Sequence, residues 1–441
     1  MRALVVSIWV FINLVFFGMC GYMYLLWSQY WLYTERQAET TTSTYDQQIY
    51  FYNRGYYPND VHSVKNKTQY FPENNLRAKH STDEKNTSYT LIKNSKPRFP
   101  NLQSKEFDLD AKKYRCWSNY STNECDKRTS EYKEAILKEL RRVLTDESNI
   151  MKIGLENPYN VHYEGKRGNY MDMTANELLC QLKDSPISML KREDVVKHPL
   201  REYIPKRSLF ENKRFNSCAI VASAGALKNS NLGAIIDSHD LVLRFNHAPV
   251  KGFEKDVGKK TTIRVLNSQV VTKDQFKFLG SNLYKNITLV AWDPSNYSTP
   301  ISEWLQKPEF NLFPNFMEFR KRDPKSRFFL VNPQSIWGVW RFLQGNSPSR
   351  LRRNPPSSGF LGLGILLPHC SFVDMFEYVP STRVTRRCHY YDPEENPACT
   401  FGVWHPLAAE KLLTYHMNCA DDRSVFQIGF IRILGFKSLN C

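Results

Sequence analysis

The sequence has no cysteine pair in a CxxC arrangement, no nucleic-acid-binding motif and no internal repeat. Without closely spaced cysteines, a zinc site is disfavoured. The formal net charge of +16 favours anionic partners. Because Lys and Arg are spread along the chain, a basic but unspecialised surface fits as well as a dedicated polyanion site. The 441 residues, 41% of them hydrophobic, can form one large domain with accessory segments or two ordinary domains.

Charge is also absent from the stretch Ala3–Trp27, ALVVSIWVFINLVFFGMCGYMYLLW. At about 1.5 Å per residue, a helix of this length spans a hydrocarbon core of about 30 Å. A cleavable signal peptide is the alternative, but its apolar core usually has about 7–15 residues. Tyr30 and Trp31 follow the stretch and are typical of a membrane interface. We therefore expect an uncleaved signal anchor over 3–27, with residues 1–2 in the cytosol and the remainder in a lumen.

Two further features favour a lumenal location. Of the 10 cysteines, all but Cys20 follow the predicted anchor, at wide spacings that favour disulfides. Acceptor motifs for N-glycosylation, Asn-x-Ser/Thr, occur at Asn66, Asn86, Asn119, Asn286 and Asn296. The polar composition after the anchor predicts a flexible lumenal stem over 28–110, followed by a globular lumenal domain over 111–441.

Apolar runs in the globular part predict seven strands, over 218–224, 240–246, 261–267, 287–293, 327–332, 372–379 and 425–433. Helices are predicted over 226–236, 335–344, 358–370 and 406–417. A further amphipathic helix precedes them in SEYKEAILKELRRVL, where one face carries Ile136, Leu137, Leu140 and Val143. Alternating strands and helices imply an α/β fold with a mostly parallel sheet flanked by helices. Ligands of such sheets bind beyond the carboxyl ends of the strands.

Two turns after predicted strands contain small residues suited to an anion. In SAGALKNSNLG, which begins at Ser223, a strand ends and a helix begins, and free N–H groups at a helix start can hold a phosphate. The stretch is neither GxGxxG nor a P-loop, so a plain strand–helix turn is the simpler explanation. In NPPSSGFLGLGILL, Ser357 or Ser358 can cap a helix after two prolines. An anion site and a simple N-cap both remain open there.

Polar side chains at other strand and helix ends are further candidates. Asn246 and Asn267 end two predicted strands, where an amide can bind a nucleobase or ribose, or only close a turn. His405 precedes Pro406 and is expected near the N-cap of a helix. The helix dipole disfavours imidazolium there, so the ring can act as a general base. A structural histidine is the alternative.

A metal-dependent sugar-nucleotide enzyme would need acidic ligands, often Asp-x-Asp. The only such triplet, Asp108-Leu109-Asp110, lies upstream of the first predicted strand. We expect it to lie on the surface of the stem, and we predict no metal site and no cofactor.

Four stretches together resemble the sialyltransferase family, most closely its β-galactoside α-2,6 branch. The long motif resembles CAIVASAGALKNSNLGAIIDSHDLVLRFNHAPVKGFEKDVGKKTTIRVLNSQ, and the short motif resembles NPPSSGFLGLGILLPHCSFVDMFEYV. The third motif resembles HYYD, and a very short motif, His-x4-Glu, resembles His405 to Glu410. Their order and spacing agree with the family over roughly Tyr159 to Cys441, whereas the stem shows no resemblance.

The resemblance implies a type II Golgi membrane enzyme with a Rossmann-like, metal-independent GT-A-like catalytic domain. It implies a CMP-sialic acid donor and transfer, with inversion, to the 6-hydroxyl of galactose or N-acetylgalactosamine ending a glycoprotein glycan. Two alternatives stay open: α-2,3 linkage, or an inactive lumenal protein that binds the CMP-sugar or glycan. No nucleic acid partner is expected, and a homodimer is left open.

The resemblance also implies roles for individual residues. His405 corresponds to the catalytic base. The implied CMP site comprises Ser223, Asn246, Asn267, Ser357, Ser358, Gly359, Cys388, His389 and Thr400. The implied acceptor contacts are Gln269, Glu309, Asp392, Trp404 and Lys411. Three of these depart from close relatives, with Glu309 in place of aspartate, Asp392 in place of glutamine and Trp404 in place of tyrosine, so donor use is better founded than the acceptor sugar.

The family pattern further suggests three disulfides, Cys218–Cys370, Cys388–Cys399 and Cys180–Cys441. Three cysteines then remain after the anchor. Cys116 and Cys125 are close enough in sequence to pair. Cys419 would be free or bonded to another chain.

Overall fold

A seven-stranded sheet organises the part of the chain that the computed structural model describes, residues 109–152, 157–396, 398–402 and 404–441. The strands are β1 Phe215–Val221, β2 Leu241–Phe245, β3 Ile263–Asn267, β4 Thr288–Trp292, β5 Phe328–Leu330, β6 Cys370–Phe376 and β7 Phe430–Leu434. Their order is β5-β4-β3-β2-β1-β6-β7, and only β7 is antiparallel to its neighbour. The mostly parallel α/β sheet expected from the sequence is therefore confirmed.

Both faces of the sheet are buried, which is why its strands are almost continuously apolar. In β1, Cys218 and Ile220 point into one large cluster of buried side chains, while Ala219 and Val221 point into a second cluster on the opposite face. This alternation follows from the two-residue period of a strand. Helices cover both clusters, so the polar ends of the strands are the accessible part of the sheet.

The helices are α1 Thr122–Lys152, α2 Ala175–Lys183, α3 Gly233–Asp237, α4 Glu254–Val257, α5 Ser268–Thr272, α6 Ile301–Gln306, α7 Phe313–Arg322, α8 Pro333–Gly345, α9 Ser358–Leu366, α10 Ala398–Phe401 and α11 Leu407–His416. The amphipathic helix predicted from SEYKEAILKELRRVL lies in α1, whose Ile136, Leu137 and Leu140 are buried and whose Val143 packs against the core. The predicted helices over 335–344 and 406–417 correspond to α8 and α11. The helix predicted over 358–370 ends at Leu366, so that Cys370 can begin β6.

The single helix predicted over 226–236 is wrong. The segment forms a short turn at Gly225–Leu227 and then α3. Between them Asn229 and Asn231 have positive φ angles of 61° and 58°. Their N–H groups donate to the Asp256 carboxylate at 2.8 and 3.0 Å, so a distant side chain replaces the helical hydrogen bonds.

The last strand also begins later than the predicted 425–433. Residues Ser424–Ile428 form one wide helical turn, closed by the Gly429 N–H donating to the Ser424 carbonyl at 2.8 Å. Gly429 has a φ of 92°, a conformation that favours glycine and reverses the chain here. Only Phe430–Leu434 then pairs with β6.

Four disulfides are present among the described residues: Cys116–Cys125, Cys180–Cys441, Cys218–Cys370 and Cys388–Cys399. They include all three pairs suggested by the family pattern. Cys419 is free and exposed. The third bond joins the middle of β1 to the first residue of β6, two strands that are hydrogen-bonded neighbours.

The predicted anchor over 3–27 and almost all of the predicted stem lie outside the described residues, as do Asn66 and Asn86. Within the described ranges, no helix is both long and apolar enough to cross a membrane. Asn119, Asn286 and Asn296 are exposed, as glycosylation would require.

Candidate functional site

The candidate site lies at the carboxyl edge of the sheet, where the parallel strands present the loops that follow them. Ser223 lies just after β1 and Asn246 just after β2, while Asn267 and Trp292 are the last residues of β3 and β4. Tyr378 follows β6. The sheet therefore brings these sequence-distant residues to one edge.

The two strand-end asparagines are fixed relative to each other. The Asn246 side-chain Oδ1 accepts a hydrogen bond from the Asn267 backbone N–H at 3.0 Å. The Asn267 Oδ1 in turn accepts from the Val270 N–H at 3.1 Å and caps α5. Within the described ranges the Nδ2 groups of both asparagines donate no hydrogen bond. Two half-buried amide donors are thus held at adjacent strand ends, where a ligand can accept from them.

The loop after β1 lies against the segment that contains the HYYD motif. The Tyr390 N–H donates to the Ser223 carbonyl at 3.1 Å, and Ala224 bridges to His389. Gly225 permits this approach, because a Cβ there would lie 2.3 Å from the Arg387 carbonyl oxygen. Predicted donor-site residues from the long and third motifs are therefore adjacent.

The Cys388–Cys399 bond links the same segment to α10. Thr400, also assigned to the CMP site from the resemblance, is half-buried in this short helix. The disulfide therefore keeps Thr400 near His389 in the fold.

A buried carboxylate organises the start of α9. Glu410 is fully buried and accepts from the Ser357 N–H at 2.7 Å, the Ser357 hydroxyl at 2.5 Å and the Tyr378 hydroxyl at 2.6 Å. The Ser357 Oγ also accepts from the Phe360 N–H at 3.2 Å and caps the helix. Ser357, predicted as a CMP contact, thus donates its hydroxyl proton to Glu410 and positions α9.

The first residues of α9 retain donors. The N–H groups of Ser358 and Gly359 lie in the first turn, where no intrahelical acceptor exists, and they donate no other hydrogen bond within the described part of the chain. The Ser358 hydroxyl accepts from the Trp292 indole at 2.9 Å. A Cβ on Gly359 would lie 2.6 Å from the Tyr378 ring, so glycine is required for this packing. A helix start with free amides suits an anionic group.

His405 has a defined tautomer. Its Nδ1 lies 2.8 Å from the Pro355 carbonyl oxygen, which can only accept, so Nδ1 carries a proton and Nε2 is the unprotonated acceptor of the neutral ring. Burial lowers the pKa of His405, while the Glu410 carboxylate acts in the opposite direction. The ring packs edge-on against Trp404 with centroids 4.4 Å apart and lies 6.4 Å from the Trp292 ring.

The predicted N-cap position of His405 is displaced by one residue. α11 begins at Leu407 with Pro406 at the cap, because the Leu407 N–H donates to the His405 carbonyl at 2.8 Å in a tight turn. The hydrogen bond to Pro355, which sequence spacing does not reveal, orients the ring.

Three of the residues predicted to contact an acceptor, Trp404, Glu309 and Gln269, are connected through side-chain contacts of their neighbours. The Trp404 ring lies edge-on to Tyr159, with centroids 6.3 Å apart, and the Tyr159 hydroxyl donates to Glu309 at 2.6 Å. Gln269 accepts from Lys273 at 2.7 Å, and Lys273 lies over the ring of Phe310, the neighbour of Glu309. Aromatic faces and polar groups therefore occur together beside His405.

The loop that carries Glu309 depends on a residue that sequence reasoning missed. Asp293 is fully buried and accepts from the Glu309 and Phe310 N–H groups at 2.9 and 3.1 Å and from the Trp304 indole at 3.0 Å. Burial raises its pKa to about 6. Its position directly after β4 was the available sequence signal.

The structure does not bring the other two predicted acceptor residues into this group. Asp392 accepts at 2.7 Å from the ring of His389, a residue predicted for the CMP site. Lys411 is buried, and its ammonium donates to the Tyr378 carbonyl. Burial lowers the pKa of Lys411 to about 8, against the opposing effect of Glu410. Its side chain belongs to the buried network around Glu410.

No cluster of three or more His, Cys, Asp or Glu side chains suited to a metal ion occurs among the described residues. Asp110, from the Asp-x-Asp triplet, accepts from the Lys112 N–H at 3.2 Å and caps a short helical turn.

Comparison with known proteins agrees with the motifs. The model of glycosyltransferase family 29 (sialyltransferase) matches residues 171–420. Beta-galactoside alpha-2,6-sialyltransferase 2 of Xenopus tropicalis is 43% identical over 292 residues, which cover 65% of this chain and 56% of that protein. The human protein of the same name is 41% identical over 297 residues, covering 65% and 54%. The chain thus spans little more than half the length of the curated relatives it matches.

A solved structure, that of a mammalian sialyltransferase in complex with Gal-beta-1-3GalNAc-ortho-nitrophenol, is 22% identical. The alignment covers 59% of this chain and 88% of the solved chain, with a TM-score of 0.34.

Proposed function

The chain belongs to glycosyltransferase family 29, the sialyltransferases, and from this premise we propose that it transfers sialic acid from CMP-sialic acid to a glycan. The proposed acceptor is the 6-hydroxyl of a terminal galactose, or N-acetylgalactosamine, on a glycoprotein. The names of the curated relatives support this linkage. The observation that carries the proposal is His405, whose Nδ1–H is bound to Pro355 and whose Nε2 is left as the acceptor.

The reaction is a single displacement. Nε2 of His405 accepts the proton of the acceptor hydroxyl as its oxygen forms a bond to the anomeric carbon of sialic acid. The bond from that carbon to the CMP phosphate oxygen breaks, and the electron pair leaves with CMP. Because the oxygen attacks from the opposite face, a β-linked donor gives an α-linked product.

The leaving phosphate needs stabilisation as its charge develops. The amides of Ser358 and Gly359 at the start of α9 supply preorganised donors and the positive end of a helix dipole. The network of Glu410, Ser357 and Tyr378 fixes that helix start. Since CMP carries one phosphodiester charge, we propose that these groups suffice without a metal. Activity should survive EDTA, and loss on chelation that Mn²⁺ restores would overturn this proposal.

The remaining residues divide between donor and acceptor. The Nδ2 donors of Asn246 and Asn267 suit the ribose or base of the nucleotide, with Ser223 and His389 alongside. Trp404, Glu309 and Gln269 suit a sugar acceptor, because aromatic rings pack on sugar faces and polar groups bind hydroxyls. Glu309 and Trp404 have the different side chains noted above, so we propose that they tune which acceptor is used.

We propose a Rossmann-like, GT-A-like catalytic domain facing the Golgi lumen, attached by the predicted anchor. The four disulfides support an oxidising compartment. The exposure of Asn119, Asn286 and Asn296 is compatible with glycosylation there.

The proposal is tested by incubating the full-length chain with CMP-sialic acid and a panel of glycans ending in β-galactose or N-acetylgalactosamine. We expect an α-2,6-linked product, with the linkage assigned by NMR. An α-2,3 product would correct the linkage and keep the transferase. Binding of CMP with neither transfer nor donor hydrolysis would overturn the enzyme proposal in favour of a binding protein.

A further inference from the structure

Two arginines on adjacent strands are buried and form no salt bridge in the part of the chain that the structure describes. Arg244 of β2 and Arg264 of β3 are paired in register, and each is 1% exposed. Arg244 Nη1 and Arg264 Nε have no hydrogen-bond partner among the described residues. Burial of an uncompensated charge is costly, so the groups that each guanidinium does bind indicate why it is there.

Arg264 binds the turn that follows β2. Its Nη1 donates to the carbonyl oxygens of Phe245, Asn246 and Ala248 at 3.3, 2.9 and 3.0 Å. The Ala248 N–H closes the same turn by donating to the Phe245 carbonyl at 3.2 Å. Three carbonyl groups of one tight turn therefore converge on a single guanidinium nitrogen, whose two N–H groups they share.

Asn246 lies inside this turn with a φ of 45°, in the left-handed region that non-glycine residues rarely adopt. Its N–H donates to the Val265 carbonyl at 2.8 Å, and its Oδ1 accepts from Asn267 at 3.0 Å. With its carbonyl bound to Arg264, Asn246 is held at three atoms. Its Nδ2 group is the donor that remains for a ligand.

We propose that Arg264 is a positioning residue for the donor nucleotide: it holds the turn 245–248 in the conformation that directs the Asn246 amide at the nucleoside of CMP. Arg264 does not touch the nucleotide in this role and acts through Asn246. This inference rests on the proposed function, because it takes the ligand of Asn246 to be the CMP donor.

Arg244 provides a matched control within the same sheet. It is as buried as Arg264 and likewise forms no salt bridge among the described residues, but it binds a different segment. Its Nε donates to Lys260 O and Thr261 Oγ1, both at 3.1 Å, and its Nη2 donates to Val257 O at 2.5 Å. Loss of Arg244 should therefore destabilise the protein without disturbing the turn at Asn246.

The test uses the full-length chain with Arg264→Lys, Arg264→Met, Arg244→Met, Asn246→Ala and the double variant Arg264→Lys/Asn246→Ala. Calorimetry measures the affinity for CMP and for cytidine, and kinetics measure KM for donor and acceptor separately. We expect Arg264→Lys to weaken both CMP and cytidine by the same factor, about 3–10-fold for one misplaced hydrogen bond. Donor KM should rise by that factor, with kcat and acceptor KM unchanged, while Arg244→Met keeps wild-type CMP affinity.

The double variant tests the route of action. Because Arg264 acts through Asn246, Arg264→Lys should add no loss of CMP affinity once Asn246 is alanine. An equal additional loss in that background would overturn the proposal, as would unchanged affinity in Arg264→Lys or an equal loss in Arg244→Met. If Arg264→Met fails to fold, Arg264→Lys and the comparison of the single variants with the double variant still test the proposal. Absence of CMP binding by the wild-type chain would instead overturn the proposed function.

Discussion

Replacement of His405 by alanine separates catalysis from binding. The change removes Nε2, the proposed proton acceptor, and a general base typically contributes about 10²–10⁴-fold in rate. At about 1.4 kcal/mol per tenfold, this equals about 3–6 kcal/mol of transition-state stabilisation. The change also removes one hydrogen bond, to Pro355, at a net cost in folding free energy of about 0.5–1.5 kcal/mol. The variant should therefore remain folded and bind CMP with nearly wild-type affinity.

The pH dependence of kcat gives a second, independent test of His405 as the base. A general base works when deprotonated, and burial lowers the pKa of His405. In the wild-type protein kcat should therefore rise with pH to a plateau, with a midpoint below that of an ordinary histidine. His405→Ala should lose this acidic limb together with most of the rate.

The assay compares single-turnover transfer and CMP affinity in the wild type, His405→Ala and His416→Ala. His416 ends α11 and its Nε2 lies 2.7 Å from the Met173 carbonyl oxygen, so it controls for loss of a hydrogen-bonded histidine on the neighbouring helix. We expect wild-type kcat from His416→Ala. Wild-type kcat from His405→Ala, or an unchanged acidic limb, would refute the assignment of the base.

Three further predictions concern stability. Tyr378→Phe removes one buried donor to Glu410 and should lower the free energy of unfolding by about 1–3 kcal/mol, as measured by chemical denaturation. An unchanged free energy of unfolding would show that this hydrogen bond does not stabilise the fold. The Cys218–Cys370 bond closes a loop of 152 residues, which stabilises the fold by about 5 kcal/mol in the chain-entropy model. The double serine variant should therefore be secreted poorly, and any folded fraction should bind CMP weakly. Normal CMP affinity in that fraction would show that the bond does not support the CMP site. Burial raises the pKa of Glu147 to about 7, so between about pH 4.5 and 7 the folded state keeps a proton that the unfolded state loses. The free energy of unfolding should therefore fall as pH rises through that window. Glu147→Gln should flatten this fall when thermal unfolding is measured against pH, and a pH profile identical to that of the wild type would contradict the prediction.

Much of the fold could be predicted because it depends on local pattern. Runs such as CAIVASA are apolar throughout and flanked by turn residues, so they predict strands buried on both faces. β1 to β6 lie within or close to their predicted windows. One failure lay at a position where a distant group decides the backbone, because Asp256 binds the N–H groups of Asn229 and Asn231 and interrupts a predicted helix. The late start of the last strand instead follows from the turn at Gly429.

The site shows the same division. His405, Asn246 and Asn267 could be selected from their side-chain chemistry and their places at element ends. Sequence reasoning did not reveal that Ser357 is bound by Glu410, because the two residues are 53 positions apart and meet only after α9 and α11 pack.

The sequence by itself determined the approximate positions of most strands and helices, which cysteines were available to pair, and which motifs could carry chemistry, because these depend on composition, periodicity and spacing. Only the tertiary structure decided the tautomer of His405, the burial of Lys411 and the clamp of Arg264 on the turn at Asn246. Each of these depends on a backbone carbonyl from another part of the chain. Because every residue has a backbone carbonyl, the sequence does not indicate which carbonyl will accept a given hydrogen bond. Only the packing of the helices and strands determines the partner.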